Sequence, residues 1–302
     1  MNWKDVLPKI ITQPGSRLRF REPLAKHTHF GIGGEATAYI EVSTVSELAA
    51  LARFHTEWNV PVAVIGRGSN LLVSDSGFKG ISLRLVGELA TLEVERNIVS
   101  VGAGLALPAL SKTMSQRGLG GVEFALGIPG SVGGALIMNA GAWGSSFGDV
   151  VTDVTTMTDT GELLNLTHAE AGFEYRHSGL DAFFCVTGAT LTLEPGDVNE
   201  ITERMQTFYK QKVATQPFTE ENAGCMFKNP PGDSAGRLID ISGLKGYRIG
   251  GAEVSTVHGN FILNLDNATA EDVLKLVAHI QQHVSEKTGI FLHPEVKRLG
   301  FD

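Results

Sequence analysis

The chain reads as an α+β protein with mixed sheets, on two observations. Short apolar β segments alternate with capped amphipathic helices, and glycine-rich turns interrupt these segments instead of forming linkers between them. Glycine supplies 36 of 302 residues, gathered in FGIGGE, VIGRGSN, SVGAG, RGLGGVEFALGIPGSVGGALIMNAGAWG and YRIGGAE. No internal repeat is visible.

The elements follow in order. WKDVLPKI offers a short helix that Pro8 weakens, and the stretch to Glu22 has no clear period. TAYIEV predicts a strand and STVSELAALARFHTEW a helix, with Thr44 and Glu47 spaced as a capping box. PVAVIG is a strand, RGSN a loop, and LLVSD, GISLRLV, ATLEVE and IVSVGAG are short β segments. ALPALSKTMSQRG predicts a helix, and VVTDVTTMT and CVTGATLTLEPG predict strands on the far side of the long glycine segment. A new helix starts at PGDVNEITERMQTFYKQK, with Asp197 as N-cap and Glu200 at the third position, which places a domain boundary near Pro195. SAGRLIDIS is a further helix and NFILNL a strand. In the last helix Val273, Leu276, Val277, Ile280 and Val284 share one face, and Gly289 supplies the stop. The tail IFLHPEVKRLGFD is too apolar to hang free.

Composition excludes several classes. Net charge is −8 and the basic residues are scattered, so nucleic acid is not an expected partner. No apolar run approaches the ~20 residues of a membrane span, and MNWKDVLPKI lacks a signal-peptide core, so a cytoplasmic location is expected. Cys185 and Cys225 are the only cysteines and have no CxxC or zinc spacing, so both are expected as free thiols and no metal is expected. His279 and His283 have i, i+4 spacing but no HExxH glutamate, which favours a solvated helix face over a metal site.

The motifs narrow the chemistry further. GRGSNL lacks the third glycine of a dinucleotide fingerprint, and no βαβ unit follows it. No P-loop exists, and Pro129 stands where a nucleophile elbow around Ser131 would need glycine. What survives is a phosphate cradle. Successive N–H groups in a glycine turn hold a diphosphate, with Ser69 and Asn70 adding side-chain bonds. The segment GIPGSVGGALIMNAGAWG offers main-chain contacts of the same kind to a flat ring. Together the two loops argue for a nucleotide cofactor.

The pairing of VIGRGSNLLVSDSGF with GIPGSVGGALIMNAGAWG resembles the FAD-binding half of the UDP-N-acetylenolpyruvoylglucosamine reductases. HTHFGIGGEA, FEYRHSGL, AGCMFKNP, AEVSTVHGNFILN and PEVKRLG agree in order, from about His27 to Gly300. The resemblance implies a vanillyl-alcohol-oxidase-like (PCMH-type) FAD-binding fold in two subdomains, followed by a smaller α+β substrate domain. The expected division is an N-terminal segment 1–22, an FAD domain 23–195 cut near 86/87, a substrate domain 196–290, and a tail 291–302 returning to the active site. It implies non-covalent FAD, NADPH as co-substrate, and reduction of an enolpyruvyl ether to a lactyl ether in peptidoglycan precursor synthesis, by a monomer.

The same resemblance assigns residues. Arg176 would stabilise enolate charge together with Glu295, and Cys225 would donate the proton. A permanently charged guanidinium fork matches a carboxylate, and a thiol, with a reference pKa near 8.5, releases a proton far more readily than an alcohol. Lys228 is close enough in sequence to lower the thiol pKa further. FAD contacts are expected from Gly66, Arg67, Gly68, Ser69, Asn70 and Leu71, and from Gly127, Ile128, Pro129, Gly130, Ser131, Gly134, Asn139 and Gly141. Substrate contacts are expected from Tyr175, Lys228, Asn229 and Asn260.

Two departures stand out. Thr215 replaces a lysine that some members use for substrate, and Cys225 replaces a commoner serine. FEYRHSGL runs directly into DAFFCVTGATL with no extra loop, as in the shorter second subtype. Rival readings are another FAD-dependent alcohol or sugar oxidoreductase of the same fold, and a nucleotide-sugar-binding protein without redox chemistry.

Overall fold

Local signals set the helix ends. Thr44 caps the helix Val45–Trp58 by accepting from the Glu47 N–H, and Asn59 ends it in the left-handed region. The capping box is only half formed. The Glu47 carboxylate turns away from Thr44 to accept from the N–H groups of Thr12 and Gln13, at 2.7 and 2.8 Å, and from the Ser16 hydroxyl at 2.5 Å. The near-complete burial of Glu47 is thus matched by bonds from a segment more than thirty residues away. Asp197 Oδ1 accepts from the Asn199 and Glu200 N–H groups and starts Val198–Thr215 as expected. A full capping box of Thr269 and Asp272 opens Ala270–Thr288, and left-handed Gly289 closes it. All five apolar residues predicted for one face of that last helix are buried.

In the computed structural model, which describes residues 2–301, the chain forms two compact units, both discontinuous in sequence. Among the described residues the first comprises 2–20, 38–67 and 80–210, and the second 21–37, 68–79 and 211–301. Each has its own apolar core. The first gathers residues such as Ile40, Leu51, Leu110, Leu136 and Phe147; the second gathers Phe30, Phe227, Ile239, Val273 and Ile280.

The first unit holds a five-stranded antiparallel sheet in the order Leu163–Thr167, Val151–Met157, Cys185–Thr192, Ile98–Gly102, Leu92–Glu95. Another sheet, in the order Arg17–Pro23, Glu35–Val42, Phe78–Leu85, Val62–Val64, has most of its residues in this unit, and its last two strands pair in parallel. Strand Leu71–Val73, not a helix, follows the RGSN loop, which agrees with rejecting a Rossmann unit. A short helix, Val132–Ile137, forms inside the glycine segment although Gly133 and Gly134 oppose it, because Ser131 caps it and Val132 and Leu136 are buried.

The second unit is built on an antiparallel sheet in the order Asn222–Cys225, Phe261–Asn264, Ala252–Val254, Arg248–Ile249. The apolar tail is not loose. Its strand Lys297–Leu299 pairs in parallel with Leu71–Val73.

Candidate functional site

In the first unit the two glycine loops meet. A methyl group on Gly66 would stand 2.7 Å from Ser131 Oγ, so the turn and the glycine segment are in van der Waals contact through that glycine. Gly66 and Gly68 are both left-handed, with φ of 47° and 64°, on either side of Arg67. Among the described residues, the N–H groups of Arg67, Gly68 and Ser69 donate to no protein acceptor. Adjacent unpaired main-chain donors in such a turn form an anion-binding concavity, so these residues fit a diphosphate. Across the glycine segment the N–H groups of Gly130, Val132 and Gly133 are already bonded to main-chain carbonyls. Gly134 Cα is open on its outer side, with only Ser131 Oγ near a Cβ placed there. Asn139, left-handed and buried, accepts from the Gly148 N–H at 2.8 Å and donates to the Glu174 carbonyl at 3.0 Å, tying the loop to the segment before Arg176.

Arg176 occupies the last corner of a tight turn closed by mutual bonds between Glu174 and His177. Its φ of 55° is one a non-glycine residue holds at a cost of about 1–2 kcal/mol. Backbone strain of this kind concentrates where a side chain must be aimed. The guanidinium donates to the Gly141 carbonyl at 2.9 Å and lies over the Tyr175 ring at 5.1 Å. Tyr175 itself is largely exposed.

In the second unit three stretches far apart in sequence come together. Cys225 pairs with Phe261, Met226 donates to the Asn260 carbonyl, and Glu295 donates to the Met226 carbonyl at 2.8 Å. Phe227 bridges Pro294, and Lys228 donates to the His293 carbonyl at 2.9 Å. Asn70 joins them, accepting from the Lys297 N–H and donating to the Glu295 carbonyl at 3.5 Å. The half-buried Cys225 and Glu295 are therefore carried on adjacent main-chain segments, the second of them bonded to Asn70. Gly224, left-handed, forms a bulge next to Cys225, and its N–H donates to Asn222 Oδ1. Both cysteines are free thiols, and burial pushes the Cys185 thiol up to about 12.

Some expected substrate residues are engaged within the protein. Asn229 Oδ1 accepts from the Ala235 N–H, and the Asn260 side chain is bonded to Phe227. Thr215 ends its helix with its hydroxyl on the Gln211 carbonyl. His283 is exposed and His279 half-buried, its ring stacked on Tyr247 at 4.1 Å and meeting His283 at 4.0 Å. No group of three His, Cys, Asp or Glu side chains among the described residues is placed to hold a metal ion.

Two features escaped the sequence reading. Segment His27–His29 packs against Gly68, whose carbonyl accepts from the His29 N–H, so it buttresses the turn. Glu123 accepts from the Gly121 N–H and from Arg204, anchoring the entrance to the glycine segment. Only the glycines of HTHFGIGGEA hinted at the first, and nothing local signalled the second.

Comparison with known proteins gives matches along most of the chain. A family model described as FAD binding domain matches residues 36–167, and one described as UDP-N-acetylenolpyruvoylglucosamine reductase, C-terminal domain, matches residues 216–299. UDP-N-acetylenolpyruvoylglucosamine reductase 2 of Symbiobacterium thermophilum is 45% identical over 97% of this chain and 96% of its own. The Bacillus subtilis reductase is 42% identical over 98% and 99%. The crystal structure of the Thermus caldophilus reductase superposes with a TM-score of 0.82 at 40% identity, covering 94% of this chain and 99% of that one. A grass pollen allergen with glucose dehydrogenase activity, Phl p 4, shares the fold alone, at 15% identity over 65% of this chain and 45% of its own, with a TM-score of 0.50. With such identity running nearly end to end, and both matches falling in order along the sequence, the chain belongs to the UDP-N-acetylenolpyruvoylglucosamine reductase family.

Proposed function

We propose that this protein reduces UDP-N-acetylglucosamine enolpyruvate to UDP-N-acetylmuramate, with bound FAD and with NADPH as the electron source. The observation that carries the reading is 45% identity to a reductase of that name over 97% of the chain. Gly66 to Leu71, with Gly127 to Ser131, Gly134, Asn139 and Gly141, would hold the cofactor, the unpaired N–H groups of Arg67 to Ser69 suiting its diphosphate. FAD, when bound, supplies the hydride that reaches the terminal enolpyruvyl carbon.

The other steps belong to side chains. As the new C–H bond forms, the π pair of the substrate double bond shifts toward the α-carbon and its carboxylate, and that charge must be stabilised where it develops. Arg176 is the residue for this work, a fixed cation whose turn and bond to Gly141 aim it before substrate arrives. Glu295 shares the load. The Cys225 thiol then gives its proton to the α-carbon and is left as a thiolate until solvent restores it. Tyr175, Lys228 and Asn229 are assigned to the nucleotide sugar, residues 196–290 to the substrate domain and 291–302 to the returning tail. The protein acts as a cytoplasmic monomer of the shorter subtype. No helix among the described residues is long and apolar enough to cross a membrane.

Stopped-flow separation of the half-reactions tests the proposal. Cys225→Ala is expected to let NADPH bleach the flavin while product formation stops, and Cys225→Ser to keep measurable turnover. Slow flavin reduction as the main defect of Cys225→Ala would sink the assignment.

A further inference from the structure

Asn260 is 2% exposed, and both polar atoms of its side chain are spent on one residue. Its Oδ1 accepts from the Phe227 N–H at 2.9 Å and its Nδ2 donates to the Phe227 carbonyl at 2.8 Å. The Asn260 carbonyl accepts from Met226 at 2.8 Å, and its N–H donates to His258 Nδ1 at 3.2 Å. One residue thus grips three of the four main-chain polar groups of Met226 and Phe227, and Glu295 takes the fourth. On the other side of the same stretch, Met226 and Phe227 hold Glu295 and Pro294. Two bonds to Phe227 leave the amide one N–H and one lone pair, and at 2% exposure these have little access to a ligand.

We propose that Asn260 is a positioning residue, which fixes the register of the stretch after Cys225 and, through it, the placement of both Cys225 and Glu295. This rests on the reading of Cys225 as proton donor. It replaces contact between Asn260 and the nucleotide sugar with control of the acid's position. A buried amide bonded to both the N–H and the carbonyl of one residue holds that residue against sliding along the neighbouring strand, and a shift of about 1 Å at a reacting group lowers rate by roughly a hundredfold.

The test uses the flavin-loaded protein and three readouts. In Asn260→Ala, amide exchange at Phe227 is expected to rise at least tenfold, and Cys225 alkylation by iodoacetamide to change severalfold. Substrate-driven flavin reoxidation is expected to fall by roughly a hundredfold, with KM for the enolpyruvyl substrate moving less than threefold and NADPH bleaching kept. In Asn260→Asp the protonated acid can both accept from and donate to Phe227, so reoxidation should recover as pH falls through that carboxyl's pKa. This second variant serves if the alanine protein fails to fold. A raised KM with kcat retained, or unchanged exchange and alkylation, overturns the proposal. Exchange and alkylation report positioning even if Cys225→Ala still forms product, so failure of the proton-donor reading is seen separately.

Discussion

Adding one methyl group to Gly68 should cost the protein its flavin, whereas adding one to Gly66, two residues earlier, should cost much less. Both glycines are left-handed, so alanine at either carries about 1–2 kcal/mol of backbone strain. The difference lies in what the new carbon meets. At Gly68 it would stand 2.8 Å from Thr28 Cα and closer still to the His27 carbonyl oxygen, both main-chain atoms. They belong to the segment whose His29 N–H is bonded to the Gly68 carbonyl. Relief requires the turn or that segment to move, adding about 1–3 kcal/mol as in other overpacked sites. At Gly66 the carbon meets only Ser131 Oγ, at 2.7 Å, with Ser131 Cβ a comfortable 3.8 Å away, so rotation of the hydroxyl relieves it at the loss of its long capping bond to the Gly134 N–H, about 0.5 kcal/mol. The expected totals are about 2–5 kcal/mol for Gly68→Ala and about 1.5–2.5 for Gly66→Ala. Flavin absorbance per polypeptide after purification, together with thermal melting, reads the outcome. Gly68→Ala should be depleted of flavin and melt roughly 10 °C lower. Equal flavin content and equal melting temperatures in the two variants would refute the reasoning.

Replacement of Glu47 by alanine removes the acceptor for Thr12, Gln13 and Ser16 at once and should destabilise by about 3–5 kcal/mol, measured by urea denaturation. Glu47→Gln should recover part of this by accepting from the same N–H groups. The Cys185 thiol, held neutral by burial up to about 12 against an ordinary value near 9.0, gives a signed pH effect. The unfolded thiol loses its proton first, so stability is untouched below pH 9 and falls as pH rises above it, by up to about 1.4 kcal/mol per unit. Cys185→Ala should remove that component from denaturation curves at pH 8 and 10. Arg176→Lys should slow substrate-driven flavin reoxidation roughly a hundredfold, since an ammonium cannot present the planar fork, while flavin bleaching by NADPH persists in stopped-flow traces.

Much of the site was legible before any tertiary contact was known, though unevenly. The glycines at 66 and 68 signalled positive φ, and the structure has them left-handed. Ser131 was marked as a glycine-loop residue and lies against Gly66. Asn260 could be located from its motif, but not the fact that its side chain is spent on Phe227. Glu47 was read from its spacing to Thr44 as a capping partner, and its carboxylate went instead to a segment with no readable period. The helix Val132–Ile137 was illegible because its two glycines argue against helix, and burial of Val132 and Leu136 overrides them.

The residues by themselves determined where helices start and stop, as with Asp197 and Gly289, which face the last helix buries, and that no dinucleotide-type crossover follows RGSN. Those properties rest on capping bonds and periodicities confined to a few neighbouring residues. Only the tertiary structure decided that Lys297–Leu299 lies beside Leu71–Val73, that Glu295 is bonded to the stretch after Cys225, and that the chain divides into discontinuous units. Partners so distant in sequence are selected by which surfaces can be buried together and which polar groups are then left to satisfy, and no local pattern records that choice.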